Sequence, residues 1–296
     1  MDSEPLKKFQ KQINKSAVWV FSLSAWVAFA QDQPPRLVTE LGFGKTFNLT
    51  SLDEIHGHSV SGLFDLEFPK HNFYSQLQIR GIVDDASSKE NIDEDRHSLW
   101  FSGRIEIGKF FERDEAMGRD WGLRLRTEIN ENTPTSTERA ISVDVLPTLR
   151  FFKDKSVTEL SLGVSAFSHE LDDDLPRSQG FERDRLSMDT LGLICQVNSS
   201  LDLGKNFFLN FSAKAVFDEK VNFFETRVGT SLDIPLNFLE GQTCLPYFRI
   251  GAEYRHFDLD DRSGALPFDN EVFVTADFIV RFGGSKSDRH FYRSYR

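Results

Sequence analysis

The sequence predicts an all-β protein, a transmembrane antiparallel up-and-down β-barrel of about twelve strands after a cleaved signal peptide. Three observations lead there. Stretches of strict two-residue alternation recur from residue 36 to residue 282, long charged connections alternate with tight turns, and aromatic residues gather beside the tight turns. The clearest stretch is Val272 to Phe282, VFVTADFIVRF. Val272, Val274, Ala276, Phe278, Val280 and Phe282 share one face, and Phe273, Thr275, Asp277, Ile279 and Arg281 share the other. Such a strand has lipid or core on one side and a polar space on the other. Its length of about eleven residues is what a tilted strand needs to cross a bilayer.

Residues 1–30 read as an export signal. Lys7, Lys8, Lys11 and Lys15 form a basic start, Ala17 to Ala30 is an apolar run, and Ala28 and Ala30 stand at a small-residue cleavage site before Gln31. The run is too short for a spanning helix. Residues 31–282 then form the barrel.

The first strand, Leu37 to Leu49, sets Leu37, Thr39, Leu41, Phe43 and Phe47 against Glu40, Gly42, Gly44 and Asn48, with Lys45 an exception on the apolar face. The second, Ser59 to Phe68, sets Phe64, Leu66 and Phe68 against Asp65 and Glu67. Then come Phe73–Val83, Leu99–Phe111, Trp121–Asn130, Ile141–Phe152 and Val157–Phe167. Ser187–Val197, Phe207–Phe217, Asn222–Ile234 and Leu245–Phe257 precede the last strand. Pro147 cannot donate to a ladder, so a bulge is expected in the sixth strand.

The connections support this count. Residues 84–98, 168–186 and 258–269 are long and charged, whereas 69–72, 153–156 and 201–206 are tight. Long extracellular loops and short periplasmic turns belong to outer-membrane barrels. Phe68, Phe73, Phe110, Phe111, Trp121, Phe151, Phe152, Phe207, Phe208, Tyr247 and Phe282 lie near the tight turns, where they read as a periplasmic interface girdle. Acidic residues dominate the long loops, which reads as a solvated surface or as a trap for divalent cations. Residues 283–296 follow as a basic tail, assigned to the periplasm. Cys195 and Cys244 sit about three strands apart, too far for a disulfide, so two free thiols are expected.

With the apolar faces toward lipid, the other faces line the interior. They carry Arg80, Arg104, Arg124, Arg126, Arg150, Lys214, Arg227, Arg249, Arg255 and Arg281. Carboxylates interleave with them: Glu40, Asp65, Glu67, Glu106, Glu128, Asp144, Glu159, Glu225, Asp233, Glu253 and Asp277. An Arg or Lys facing lipid at mid-depth costs about 2–4 kcal/mol, so these faces must point inward. Arg104, Arg124, Arg126 and Arg150 occupy three adjacent strands, and Arg227, Arg249, Arg255 and Arg281 occupy another three on the opposite wall.

In architecture and charge layout the stretch 36–282 resembles the bacterial outer-membrane porins of twelve strands that pass acidic oligosaccharides. That resemblance implies passive passage of small polar or anionic solutes along the arginine walls; Glu106, Glu128, Glu225 and Glu253, interleaved on the same strands and so also on the pore lining, depart from the pattern. It further implies surrounding outer-membrane lipid and lipopolysaccharide, and insertion by the barrel-assembly machinery. The interleaved acids leave a second reading open, a closed structural or surface-interaction barrel whose lumen charges are paired.

A third reading, a lipid-modifying hydrolase, would need a nucleophile, a base and an orienting group. His97 with Ser98 and His58 with Ser59 point to opposite faces of an extended chain, and His56 with His58 makes only a weak metal-ligand pair. No catalytic residue, metal site or cofactor is therefore assigned. The net charge of −11 gives no basis for a nucleic-acid partner.

Overall fold

The computed structural model describes residues 35–49, 54–68, 71–84, 99–111, 118–133, 137–171, 187–205, 207–218, 223–236, 244–257 and 270–283. The export segment 1–30, the tail beyond Gly283, and His97 with Ser98 lie outside them.

Twelve strands make one closed antiparallel barrel. They are β1 (Arg36–Leu49), β2 (Glu54–Phe68), β3 (Phe73–Asp84), β4 (Leu99–Phe110), β5 (Arg119–Thr133) and β6 (Thr137–Lys153). The second half comprises β7 (Ser156–Leu171), β8 (Ser187–Gly204), β9 (Phe207–Phe217), β10 (Phe223–Pro235), β11 (Cys244–Phe257) and β12 (Asn270–Phe282). Every strand pairs with its neighbours in sequence, and β12 closes on β1 with Phe43 opposite Phe278. Closure leaves no unpaired edge, the condition under which strands can span lipid.

Several strands run longer than the sequence reading gives. β2 starts at Glu54, so His56 and His58 belong to a strand and not to a loop. β8 continues past Val197 to Gly204. Asn198, Ser199 and Ser200 put polar atoms on both faces there and hide the alternation, which resumes with Leu201 and Leu203 outward. β5 begins two residues before Trp121 and so brings Asp120 into the barrel.

The bulge expected at Pro147 is absent. Val145 pairs with Val164 and Thr148 with Ser161, so the register runs through. The two ladder pairs between them are missing, which accommodates the proline without an extra residue. Opposite this gap a Cβ on Gly163 would meet the Val145 carbonyl at 1.9 Å, so only glycine allows the strands to approach there.

Each of the twelve strands contributes exposed apolar side chains to the exterior, among them Leu41, Val60, Leu123, Leu162, Leu191, Phe211 and Ile250. A continuous apolar belt of this kind is satisfied by lipid, not by water. Lys45 does lie on this outer face, opposite Ala276 and His58. Cys195 is exposed on the belt and Cys244 is half-buried, both unpaired.

The aromatics at the turn end divide into two layers, where the sequence reading has one girdle. Phe111 and Trp121 stack outside with ring centroids 4.0 Å apart, and Phe151 and Phe282 are exposed nearby. Phe110, Phe208 and Tyr247 are instead buried inside the barrel with Tyr74. A Cβ on Gly108 would meet the Tyr74 ring at 2.4 Å, so this glycine makes the space the ring fills.

Candidate functional site

The inward residues follow from the two-residue period and from nothing else local: in β5, Asp120, Gly122, Arg124, Arg126, Glu128 and Asn130 are the buried set, while Trp121, Leu123 and Leu125 are exposed. The barrel interior is therefore polar and holds all ten inner cations named above. Among the described residues it resolves into packed ion-pair networks and an open cavity.

Arg124 is the centre of the first network and only 1% exposed. It donates to Thr148 Oγ1 (2.9 Å), Glu159 Oε2 (3.2 Å) and Ser161 Oγ (2.6 Å), with Glu106 3.6 Å away. Tyr74 donates its hydroxyl to Glu106 at 2.5 Å. Nearer the turns, Arg150 grips both oxygens of Asp120 at 2.6 and 2.7 Å and lies 3.3 Å over the Phe110 ring. Arg126 donates twice to Asp144 Oδ2, at 2.8 and 2.7 Å, and once to Gln196 at 2.6 Å. Ser165 holds the other oxygen of Asp144.

On the opposite wall, Arg249 holds Asp233 with two bonds, and Arg281 pairs with Glu40, whose second oxygen accepts from the Tyr247 hydroxyl at 2.9 Å. Such two-bond arginine–carboxylate pairs fix orientation as well as charge. A third group joins distant strands. Glu225 accepts from Arg227 (2.9 Å), Lys214 (2.8 Å) and Arg255 (3.1 Å), and Arg227 reaches on to Glu128 of β5 at 2.7 Å.

The cavity has a volume of about 410 Å³. Its charged lining is Arg80, Arg104, Arg126, Lys214, Arg227, Arg249 and Arg255 against Glu40, Glu128 and Glu253. Several carboxylates that balance these cations, Asp144, Asp233 and Glu225, are not on the lining. In Arg126–Asp144, Arg249–Asp233 and the pairs of Glu225 with Lys214, Arg227 and Arg255 the cation borders the space and the acid does not, whereas in Arg281–Glu40 the order is reversed. Seven cations to three carboxylates makes the cavity surface positive inside a barrel whose interior charges are close to balanced.

Of the residues that the sequence reading assigns to a pore lining, Arg80, Arg104, Arg126, Glu128, Arg227, Arg249, Glu253 and Arg255 border this cavity. Arg124, Arg150, Arg281, Glu106 and Glu225 lie in the packed networks instead. The uncharged members, Gln78, Gln196, Asn198, Asn210 and Ser212, escape a reading based on charge, although the same alternation marks them. Asp120 is missed because the fifth strand is begun two residues too late.

Among the described residues no group of three or more His, Cys, Asp or Glu could hold a metal ion. His58 is exposed on the outer face while Ser59 points inward and donates to Asp277 at 2.7 Å. The two cannot act on one substrate.

These features define a closed antiparallel barrel with a lipid-compatible exterior and a charged lumen. Neither a family model nor a curated protein matches the sequence. Among solved structures the chain is similar to the KdgM porin determined with disordered oligogalacturonate, at 9% identity over 83% of this chain and 99% of that one, TM-score 0.40. It is also similar to the NanC porin, at 9% identity over 82% of this chain and 98% of that one, TM-score 0.45. The translocator domain of the autotransporter NalP from Neisseria meningitidis matches at 8% identity over 93% and 97%, TM-score 0.36.

Proposed function

We propose that the barrel resides in a bacterial outer membrane and lets small polar solutes diffuse through its lumen, anions in preference to cations. One observation carries this reading: seven cationic residues and three carboxylates border the 410 Å³ cavity. Field lines focus in a cleft with low-dielectric walls, so an excess of one sign raises the local concentration of the opposite ion. Arginine suits the task, since its fork can pass a carboxylate or phosphate from one site to the next.

In the same reading the turn end faces the periplasm and the acidic connections face outward, with lipopolysaccharide around them. Residues 1–30 are an export signal removed after Ala30, 283–296 form a basic periplasmic tail, and the barrel-assembly machinery inserts the barrel. Sequencing the N-terminus of protein recovered from outer membranes tests the cleavage; a start at Gln31 is expected.

The functional test is single-channel recording on the refolded protein in a planar bilayer. Discrete steps and a salt-gradient reversal potential of the sign for anion preference are expected. A sealed bilayer with a demonstrably folded barrel would overturn passage and leave a closed structural barrel, a reading favoured by the density of ion pairs around Arg124 and Arg150.

A further inference from the structure

We propose that Glu128 and Arg227 form a strut across the lumen that narrows the solute route and sets its size limit. This rests on the conducting reading above. Most of the ion pairs join neighbouring strands and so lie against the wall: Arg126 with Asp144, Arg249 with Asp233, Arg281 with Glu40. Glu128 and Arg227 are different. They stand on β5 and β10, five strands apart around the ring, yet Arg227 Nη1 lies 2.7 Å from Glu128 Oε1. Strands five apart stand nearly opposite each other on a twelve-strand ring, so that contact is a chord through the interior.

The chord is braced at its β10 end. Glu225 ties Arg227 to Lys214 and Arg255, so the guanidinium is fixed before it reaches over to Glu128. Against β6 and β7 the interior is filled. Phe167 of β7 stacks on Phe224 of β10 with centroids 4.0 Å apart, and the space left there is about 20 Å³. That admits about one water and no solute. The 410 Å³ cavity is bordered by residues of β1–β5 and β8–β12, and by no described residue of β6 or β7. The strut thus narrows the cavity that it borders, and Glu128 acts on specificity twice, by width and as one of only three carboxylates on the cavity lining.

Two substitutions separate these effects. Glu128→Gln keeps the length and can still accept from Arg227, so the strut stands with one negative charge fewer. Glu128→Ala removes the reach, while Arg227 keeps Glu225 as partner. Folding of each is checked by heat-modifiable migration, and each is recorded in planar bilayers with polyethylene glycols of graded size as probes of the bore. The Ala variant is expected to raise conductance by less than about twofold, as the constriction at the strut widens while the packing of Phe167 on Phe224 stays, and to admit larger polymers. The Gln variant is expected to keep the wild-type size limit and to move the reversal potential further toward anions. A folded Ala variant with wild-type conductance and size limit would overturn the strut while leaving passage intact. A silent wild type with a conducting Ala variant would uphold the strut and overturn the open channel. Silence of both folded proteins would overturn both.

Discussion

Asp233 lies behind Arg249 as seen from the cavity: two hydrogen bonds of 2.6 and 2.8 Å join them, and only the arginine borders the open space. The pairing neutralises the cation without covering it. A cavity can therefore be positive on its surface although the barrel wall around it holds as many acids as bases, and selectivity then depends on which member of each pair stands forward.

Asp233→Asn tests that arrangement. Asn keeps one acceptor for the guanidinium and removes the charge behind it, so anion preference should rise in bilayer reversal potentials. The loss of a charge-assisted hydrogen bond at this buried position should lower stability by about 1.5–3 kcal/mol, read from urea unfolding of the refolded barrel. Unchanged selectivity would mean that the hidden carboxylates do not tune the cavity.

Arg124 and Arg126 are two residues apart on the same face of β5 and should behave differently. Arg126 borders the cavity, and Arg126→Gln should weaken anion preference. Arg124 is sealed between Glu106 and Glu159, so Arg124→Met leaves carboxylates without their cation and should cost about 3–5 kcal/mol. Its reversal potential should match the wild type. A large selectivity change in Arg124→Met would place the solute route on the wrong side of that network.

The exterior belt predicts a dependence on depth. Leu162 is 62% exposed in the middle of β7, and Leu162→Arg should destabilise the barrel in lipid by about 2–4 kcal/mol. Leu203 is 53% exposed beside the β8–β9 turn, and Leu203→Arg should cost about 0–1 kcal/mol, because its guanidinium reaches the headgroups. Equal penalties at the two sites would contradict a bilayer centred on Leu162.

The strands and their faces were legible in the sequence because a strand alternates with a period of two wherever it lies. Val272 to Phe282 shows its inner and outer residues without reference to any partner, and Arg281 could not face lipid. The signal failed where both faces are polar, as at Asn198–Ser200, and where a strand end looked like a turn, as at Asp120. Pro147 misled for a related reason: its missing N–H does demand a gap in the ladder, but two absent pairs serve as well as a bulge.

What the sequence by itself determined is which residues enter the lumen, since that depends only on alternation and on the cost of charge in lipid. Which charges meet there was decided by the tertiary structure. Glu128 finds Arg227 and Arg126 finds Gln196 only because the ring closes with one particular stagger, which brings distant strands to the same place. Alternation is a local property and carries no information about that stagger, so the open cavity, the packed side and the acids hidden behind the arginines exist only in the closed barrel.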